Sequence, residues 1–198
     1  ADPARTMTGD DQETWLLDGL GRSRAVWNVI AQQVMFMKWD LGPALGTSGI
    51  FNADAWDGYQ GARQRILDFL ATGAQSNTVV LTGDIHSSWA ADLKADFDDP
   101  ASAIVGAEFV TTSISSVFGD ESVPLVEATL PGNPHIRFFD GLFRGYVRCE
   151  VTRDQWRTDF RAVARMEDPD FTVPSPDLPV STLASYALNA GQPGLFEI

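Results

Sequence analysis

The chain is poor in cysteine, histidine, positive charge and long apolar runs. One cysteine in 198 residues excludes an internal disulfide. Fourteen basic residues stand against 27 acidic ones, and the net charge of −13 makes a surface that repels nucleic acid and anionic membranes. An anionic substrate would need bound cations to draw it in. The longest apolar stretches, 79–81 and the glutamine-interrupted 29–37, fall far short of a bilayer span. No basic stretch followed by an apolar one opens the chain, as a secretory signal would. Gly-x-Ser-x-Gly, the P-loop and Gly-x-Gly-x-x-Gly are absent, which removes nucleophile-elbow hydrolases and the common nucleotide-binding loops. Asp96-Phe97-Asp98-Asp99 is too short for an EF-hand loop and reads as a solvated strand end. Repeats, low-complexity tracts and linkers are also missing, so one domain, or part of a larger one, is expected.

What is present is an ordinary globular composition, 44% hydrophobic and 21% charged, with one informative run. Val79-Val80-Leu81-Thr82-Gly83-Asp84-Ile85-His86-Ser87-Ser88-Trp89 carries a β-branched apolar segment into Gly-Asp-x-His. That puts a carboxylate and an imidazole at the C-terminal tip of a buried strand, where α/β proteins place their chemistry. If strand geometry persists through Ile85, Asp84 and His86 point the same way. A hard oxygen and a borderline nitrogen on one face suit a metal site. An N-capping Asp84 and a surface His86 are the plainer alternative.

The flanking sequence predicts an α/β layer followed by an antiparallel one. A helix capped by Thr8, with Asp11 three residues on, should bury Trp15, Leu16 and Leu20. Residues 25–31 read as a strand running into Gln32 and Gln33, with a glycine-rich loop after it. Trp56, Tyr59, Arg63, Ile66, Leu67 and Leu70 recur at helical spacing from about residue 54, and Gly73 closes that helix. Residues 78–81, 88–93 and 104–110 read as strands, 113–134 as a Ser/Gly/Pro-rich loop, and 136–139 as an extended segment. A hairpin over 145–166 alternates cleanly, with Trp156, Thr158, Phe160, Ala162 and Ala164 inward and Arg157, Asp159, Arg161 and Arg165 in solvent. A proline-rich loop covers 169–179, and a last strand lies near 182–188. The fold class is α/β (α+β). An opening on a helix N-cap suggests that a strand precedes it in a longer polypeptide.

Further polar residues have two readings each. His135, in Asn133-Pro134-His135, is a loop histidine packed beside proline or a donor near a site. Gln32 and Gln33 are core amides or ligand-orienting ones. Thr111, Thr112, Ser113, Ser115 and Ser116 satisfy loop backbone or support a substrate. Arg63, Arg144, Arg148 and Arg161 are phosphate clamps by type, and sequence selects none of them. Cys149 alternates with Val147 and Val151 and reads as a small core residue.

The run from Thr82 to Trp89 resembles the C-terminal metal motif of PhoD-type alkaline phosphatases. Trp27-Asn28-Val29-Ile30-Ala31-Gln32-Gln33-Val34, Trp56-Asp57-Gly58-Tyr59, Gly106-Ala107-Glu108-Phe109-Val110, Asn133-Pro134-His135, Arg144-Gly145-Tyr146-Val147-Arg148-Cys149 and Gln155-Trp156-Arg157-Thr158-Asp159-Phe160 resemble the same family in the same order. The resemblance implies part of a calcineurin-like metallophosphoesterase β-sandwich flanked by helices, with residues 1–198 as the C-terminal portion of the catalytic domain. It implies hydrolysis of phosphomonoesters and phosphodiesters with calcium and ferric iron, a close relative being a phospholipase D-type esterase. Asp84 and His86 match the family's metal and catalytic positions, and Gln33 and His135 are candidates beside the metal or substrate. The remaining ligands would lie upstream, so the chain alone is expected to be inactive. Export, by a twin-arginine signal on the parent, is implied as well. The rival from another class is a β-rich binding module without catalysis.

Overall fold

A computed structural model describes residues 2, 4–73, 77–165 and 179–198. Hydrophobic alternation along three strands explains its layers. In β2 (Thr78–Thr82) Val79 and Val80 point to opposite sides. In β3 (Ser88–Lys94) Trp89, Ala91 and Leu93 face one side and Ala90 the other. In β4 (Ile104–Val110) Val110 shares the first side, while Ala107 and Phe109 share the second. Both faces are apolar because both are covered.

The first face packs against α1 (Asp10–Arg22) and α2 (Gln60–Ala71), through Leu20, Ala62, Ile66, Leu67 and Leu70. The Arg65 guanidinium grips the Glu13 carboxylate with two bonds of 2.5 and 2.8 Å and ties the helices together. The second face packs against another sheet. Its members are β6 (Phe143–Val151), β7 (Gln155–Arg165), β8 (Ser181–Asn189) and β9 (Gln192–Glu197), in that order and all antiparallel. Trp156, Phe160, Tyr186, Leu188 and Leu195 fill the space between the sheets. The result is a sandwich with helices on one flank, as expected.

The first sheet runs β1-β2-β4-β3-β5, with β1 (Asn28–Ala31) at one edge and β5 (Ile136–Asp140) at the other. β1, β2 and β4 are parallel, and β3 is antiparallel to both β4 and β5. The C-terminal ends of β1, β2, β4 and β5 therefore share one rim, and β3 starts there.

Several elements depart from the sequence reading. Helix α1 is capped by Gly9 with no side-chain bond, because Thr6 Oγ1 takes up the Gly9 N–H instead of a Thr8 box forming. Trp15 lies outside the apolar stripe at 70% exposure, and Leu16, Leu17 and Leu20 carry the packing. The first strand is only four residues long. The helix expected from residue 54 opens as a 3-10 turn, Trp56–Tyr59, before Gln60. The loop 113–134 holds a short helix, α3 (Val123–Thr129), which starts with a proline in its first turn, a position that tolerates a missing N–H. Strand β9 was not anticipated. The hairpin carries a bulge between Arg144 and Gly145. There a Cβ on Gly145 would sit 1.9 Å from Arg161 O, so only glycine fits. The expected loop at 169–179 lies outside the described residues, apart from its last position.

Asp159 is the clearest reversal. Expected in solvent, it is 2% exposed, under Arg148, Arg157 and Ser185. Burial alone would raise its carboxyl, but the bonds from Ser185, Arg157 and Arg148 hold it at about 2. A depressed carboxyl stabilises the fold above its unfolded value near 3.8 and stops doing so as pH falls through about 2. Asp159→Asn should cost about 2 kcal/mol at pH 7 in urea unfolding. The gap from the parent should close progressively between pH 4 and 2, and a pH-independent gap would contradict the assignment.

Candidate active site

The rim of the first sheet gathers four connections. Gln32 and Gln33 follow β1, Gly83-Asp84-Ile85-His86-Ser87 join β2 to β3, Thr111–Val117 residues follow β4, and 141–142 follow β5. The connection from β2 to β3 carries the two residues singled out by sequence. It is not a continued strand. β2 ends at Thr82, and Asp84 and His86 have φ of 69° and 60°, both left-handed. The alternation argument for a shared face therefore fails. The segment between the two is instead a tight turn, closed by the Ile85 N–H on Gly83 O at 2.8 Å. Left-handed backbone costs a side-chain-bearing residue about 1 kcal/mol, so two such positions in three residues need support from around them.

That support is visible on every side. Gly83 N–H donates to Gln33 O at 3.2 Å, and Thr111 N–H donates to Thr82 O at 2.9 Å. Below the turn, Trp89 is fully buried between Trp39 and Phe139, with ring centroids at 4.9 and 4.4 Å. Its indole N–H donates to Ser87 Oγ at 2.8 Å, and that hydroxyl donates to Ile85 O at 3.3 Å. Thr112 Oγ1 lies 3.2 Å from His86 O and 2.9 Å from Phe143 O, so one hydroxyl spans two rim segments.

Asp84 and His86 are exposed on this frame. His86 Nδ1 faces Val117 O at 3.2 Å. A carbonyl cannot donate, so Nδ1 carries the proton and the Nε2 lone pair is left for a cation or a substrate proton. Among the described residues Asp84 makes no hydrogen bond or ion pair with its carboxylate. A carboxylate and an imidazole lone pair are the right donor types for a divalent or trivalent cation. Among the described residues, no group of three or more His, Cys, Asp or Glu forms a cluster able to hold one.

The other candidates separate by position. Gln33 lies on the rim, its side chain exposed beside the turn that its carbonyl holds. Gln32 turns inward, donating to Val34 O and Thr82 Oγ1 and accepting from Trp56 Nε1 at 3.0 Å. His135 is not brought to the rim. Its carbonyl accepts from Asp92 N, near the far end of β3, and its ring packs on Phe97 and donates from Nε2 to Lys38 O at 2.7 Å. The residue takes the packed-loop reading because β5 runs away from it toward the rim. Arg63, Arg148 and Arg161 are engaged elsewhere, with Asp57, Asp159 and Thr182. Arg144 is buried against Ser115 O, next to the rim. Cys149 is half-buried, with Sγ 3.7 Å from Thr158 Oγ1. Thr82 and Glu108 were missed as supports of the turn, whereas Thr112 takes the loop-backbone reading, through His86 O and Phe143 O. For Glu108 the signal was present: a lone charge inside Ile-Val-Gly-Ala-Glu-Phe-Val.

Two measurements follow from this geometry. Asp84→Gly should be about 1 kcal/mol more stable than Asp84→Ala in thermal unfolding, since only alanine carries the left-handed penalty. Equal stabilities would mean that the turn is not held in this form. Burial, above all, pushes the His135 imidazole down to about 4. Between pH 6.5 and 4 the unfolded chain binds a proton there that the native one refuses, so stability falls with pH by up to about 1.4 kcal/mol per unit. His135→Gln should show a shallower loss over that window, and parallel curves would contradict it.

The comparisons with known proteins converge on one family. A family model described as PhoD-like phosphatase matches residues 1–160. Alkaline phosphatase D of Bacillus subtilis (strain 168) is 43% identical over 197 residues, covering 99% of this chain and 32% of that protein. A solved structure of PhoD superposes with a TM-score of 0.85 at 42% identity, over 100% of this chain and 36% of that one. The chain thus spans about a third of the length of the curated relative it matches. With the sandwich and the Gly-Asp-x-His turn already in place, these matches show that the chain belongs to the PhoD-like phosphatase family.

Proposed function

We propose that residues 1–198 are the C-terminal portion of the catalytic domain of a metal-dependent phosphoesterase, with Asp84 and His86 among its cation ligands. One observation carries this reading: at the rim of a PhoD-like fold an exposed carboxylate stands two residues from an imidazole whose Nε2 lone pair is directed free by the Nδ1–Val117 bond. Calcium and ferric iron, the cations that the family resemblance implies, would draw charge from phosphoryl oxygens and activate the attacking nucleophile when bound. The chain's own residues supply the rest. Asp84 offers a hard oxygen donor. Val117 O fixes the ring plane and tautomer of His86, as carbonyl partners of ligating histidines do. Gln33 presents an amide on the same rim that can donate to a phosphoryl oxygen.

Two protein donors do not hold such cations unaided. The remaining donors come from sequence outside these 198 residues, in keeping with a relative about three times as long. Anionic phosphate esters are the substrate class, approaching an acidic protein through its cations. The reading extends to an exported enzyme, as the resemblance implies.

The test is hydrolysis of bis(p-nitrophenyl) phosphate with calcium and ferric iron supplied. This chain alone should show no turnover. A polypeptide extended to the length of the relative should turn over, and Asp84→Asn should lower its kcat by about a hundredfold or more. Asn suits the left-handed backbone, so this variant removes charge without adding strain. Turnover by the 198 residues alone that vanishes in Asp84→Asn would overturn the account of shared ligands, and an extended enzyme indifferent to the substitution would overturn the role of Asp84.

A further inference from the structure

Glu108 is fully buried on the central strand β4, and its carboxylate has three donors. Phe36 N–H and Thr82 Oγ1–H give to one oxygen at 2.8 and 2.5 Å, and Met37 N–H gives to the other at 2.6 Å. None of these donors is on a distant scaffold. Thr82 immediately precedes the Gly83–Asp84–Ile85–His86 turn, and Phe36 and Met37 belong to the connection that carries Gln32 and Gln33. The Thr82 hydroxyl also accepts from Gln32 Nε2 at 2.7 Å, and Gln33 O receives the Gly83 N–H. One carboxylate under the sheet rim thus ties the connection after β1 to the end of β2, from which the turn departs.

Satisfying the backbone of 36–37 accounts for two of the three bonds; the third comes from the Thr82 side chain, which no backbone demand requires. A carboxylate fixes its donors in direction as well as distance.

We infer that Glu108, acting through the Thr82 hydroxyl, is a positioning residue that sets the Gly83–His86 turn, and with it the Asp84 carboxylate and the His86 Nε2 lone pair. This rests on the phosphoesterase reading for its kinetic consequence, but not for its structural one. Glu108 itself lies beneath the rim and touches no substrate.

The experiment uses Thr82→Val, which removes the hydroxyl at nearly constant volume, and Thr82→Ser, which keeps it. In the extended, active polypeptide Thr82→Val should lower kcat for bis(p-nitrophenyl) phosphate about tenfold with KM within about twofold, since a small misplacement of reacting groups acts mainly on the chemical step. Thr82→Ser should stay within about twofold of the parent in both. Independently of turnover, 15N–1H NMR of His86 should show the Nδ1–H tautomer in the parent chain and in Thr82→Ser, and a mixed tautomer in Thr82→Val. A folded Thr82→Val protein with unchanged kcat and unchanged tautomer overturns the inference. So does a Thr82→Ser protein as impaired as Thr82→Val, because the methyl group would then be what matters. Should Thr82→Val not fold, Thr82→Ala carries the same expectations and the same refutation. If no extended polypeptide turns over, the phosphoesterase reading fails, and the tautomer measurement still decides the positioning role.

Discussion

The carboxylate of Glu108 is the constraint around which the chain is arranged. A charge with no solvent exposure must find its whole coordination inside the protein, and burial pushes the Glu108 carboxyl up despite its three donors. Those donors come from residues 36–37 and 82, so meeting the demand fixes the segment after β1 against β2 and β4. Two more acids continue the pattern. Asp57, paired with a buried Arg63, accepts from Trp39 N–H at 2.9 Å. Asp40 accepts from the N–H groups of Gly42, Gly49 and Ile50. A long irregular segment has no ladder to satisfy its backbone, and here buried carboxylates take over part of that work. The family-like motifs around Asp57 and Glu108 therefore concern how the rim is held, while the Gly-Asp-x-His motif concerns what the rim presents.

The sheet was largely legible because its strands are short apolar runs bounded by turn residues. β4 spans the residues expected, and β2 and β3 differ from expectation by one residue each. Failures fell where local pattern and tertiary demand disagree. Strand geometry through Ile85 was the condition for a shared face at 84 and 86, and it does not hold: sequence periodicity cannot register left-handed backbone at an aspartate and a histidine, neither of which advertises it as glycine would. Helix α3 hid in a segment whose prolines and serines look like loop. Asp159 was placed in solvent by alternation alone, and two arginines and a serine covered it. The first strand ends at Ala31, and the chain beyond it gives the Phe36 and Met37 N–H groups to Glu108.

Asp84 and His86 stand out by residue type and position at a strand end, and both lie exposed on the rim. Their supporting groups were less legible: a carbonyl such as Val117 O carries no sequence signature, and Thr112 stood out only as one of several loop hydroxyls. His135 shows the converse. Its residue type invited a site role, while the run of β5 carried it to the far end of β3, where an aromatic neighbour and a backbone carbonyl account for it. Spatial placement, rather than residue identity, separates the two histidines of the chain.

The five-stranded sheet ends abruptly at β1. No described strand lies beyond it, and Val29 is 46% exposed there, although its partner Val79 in the register is fully buried. No proline, lysine or bulge blunts the four residues Asn28–Ala31. An outermost strand of this kind is a template for any extended segment that can match its spacing, whether from the same polypeptide or from another copy. The strong negative charge opposes the second outcome and leaves the first open. Acidity in this chain thus sets like charge against like wherever two copies approach edge to edge.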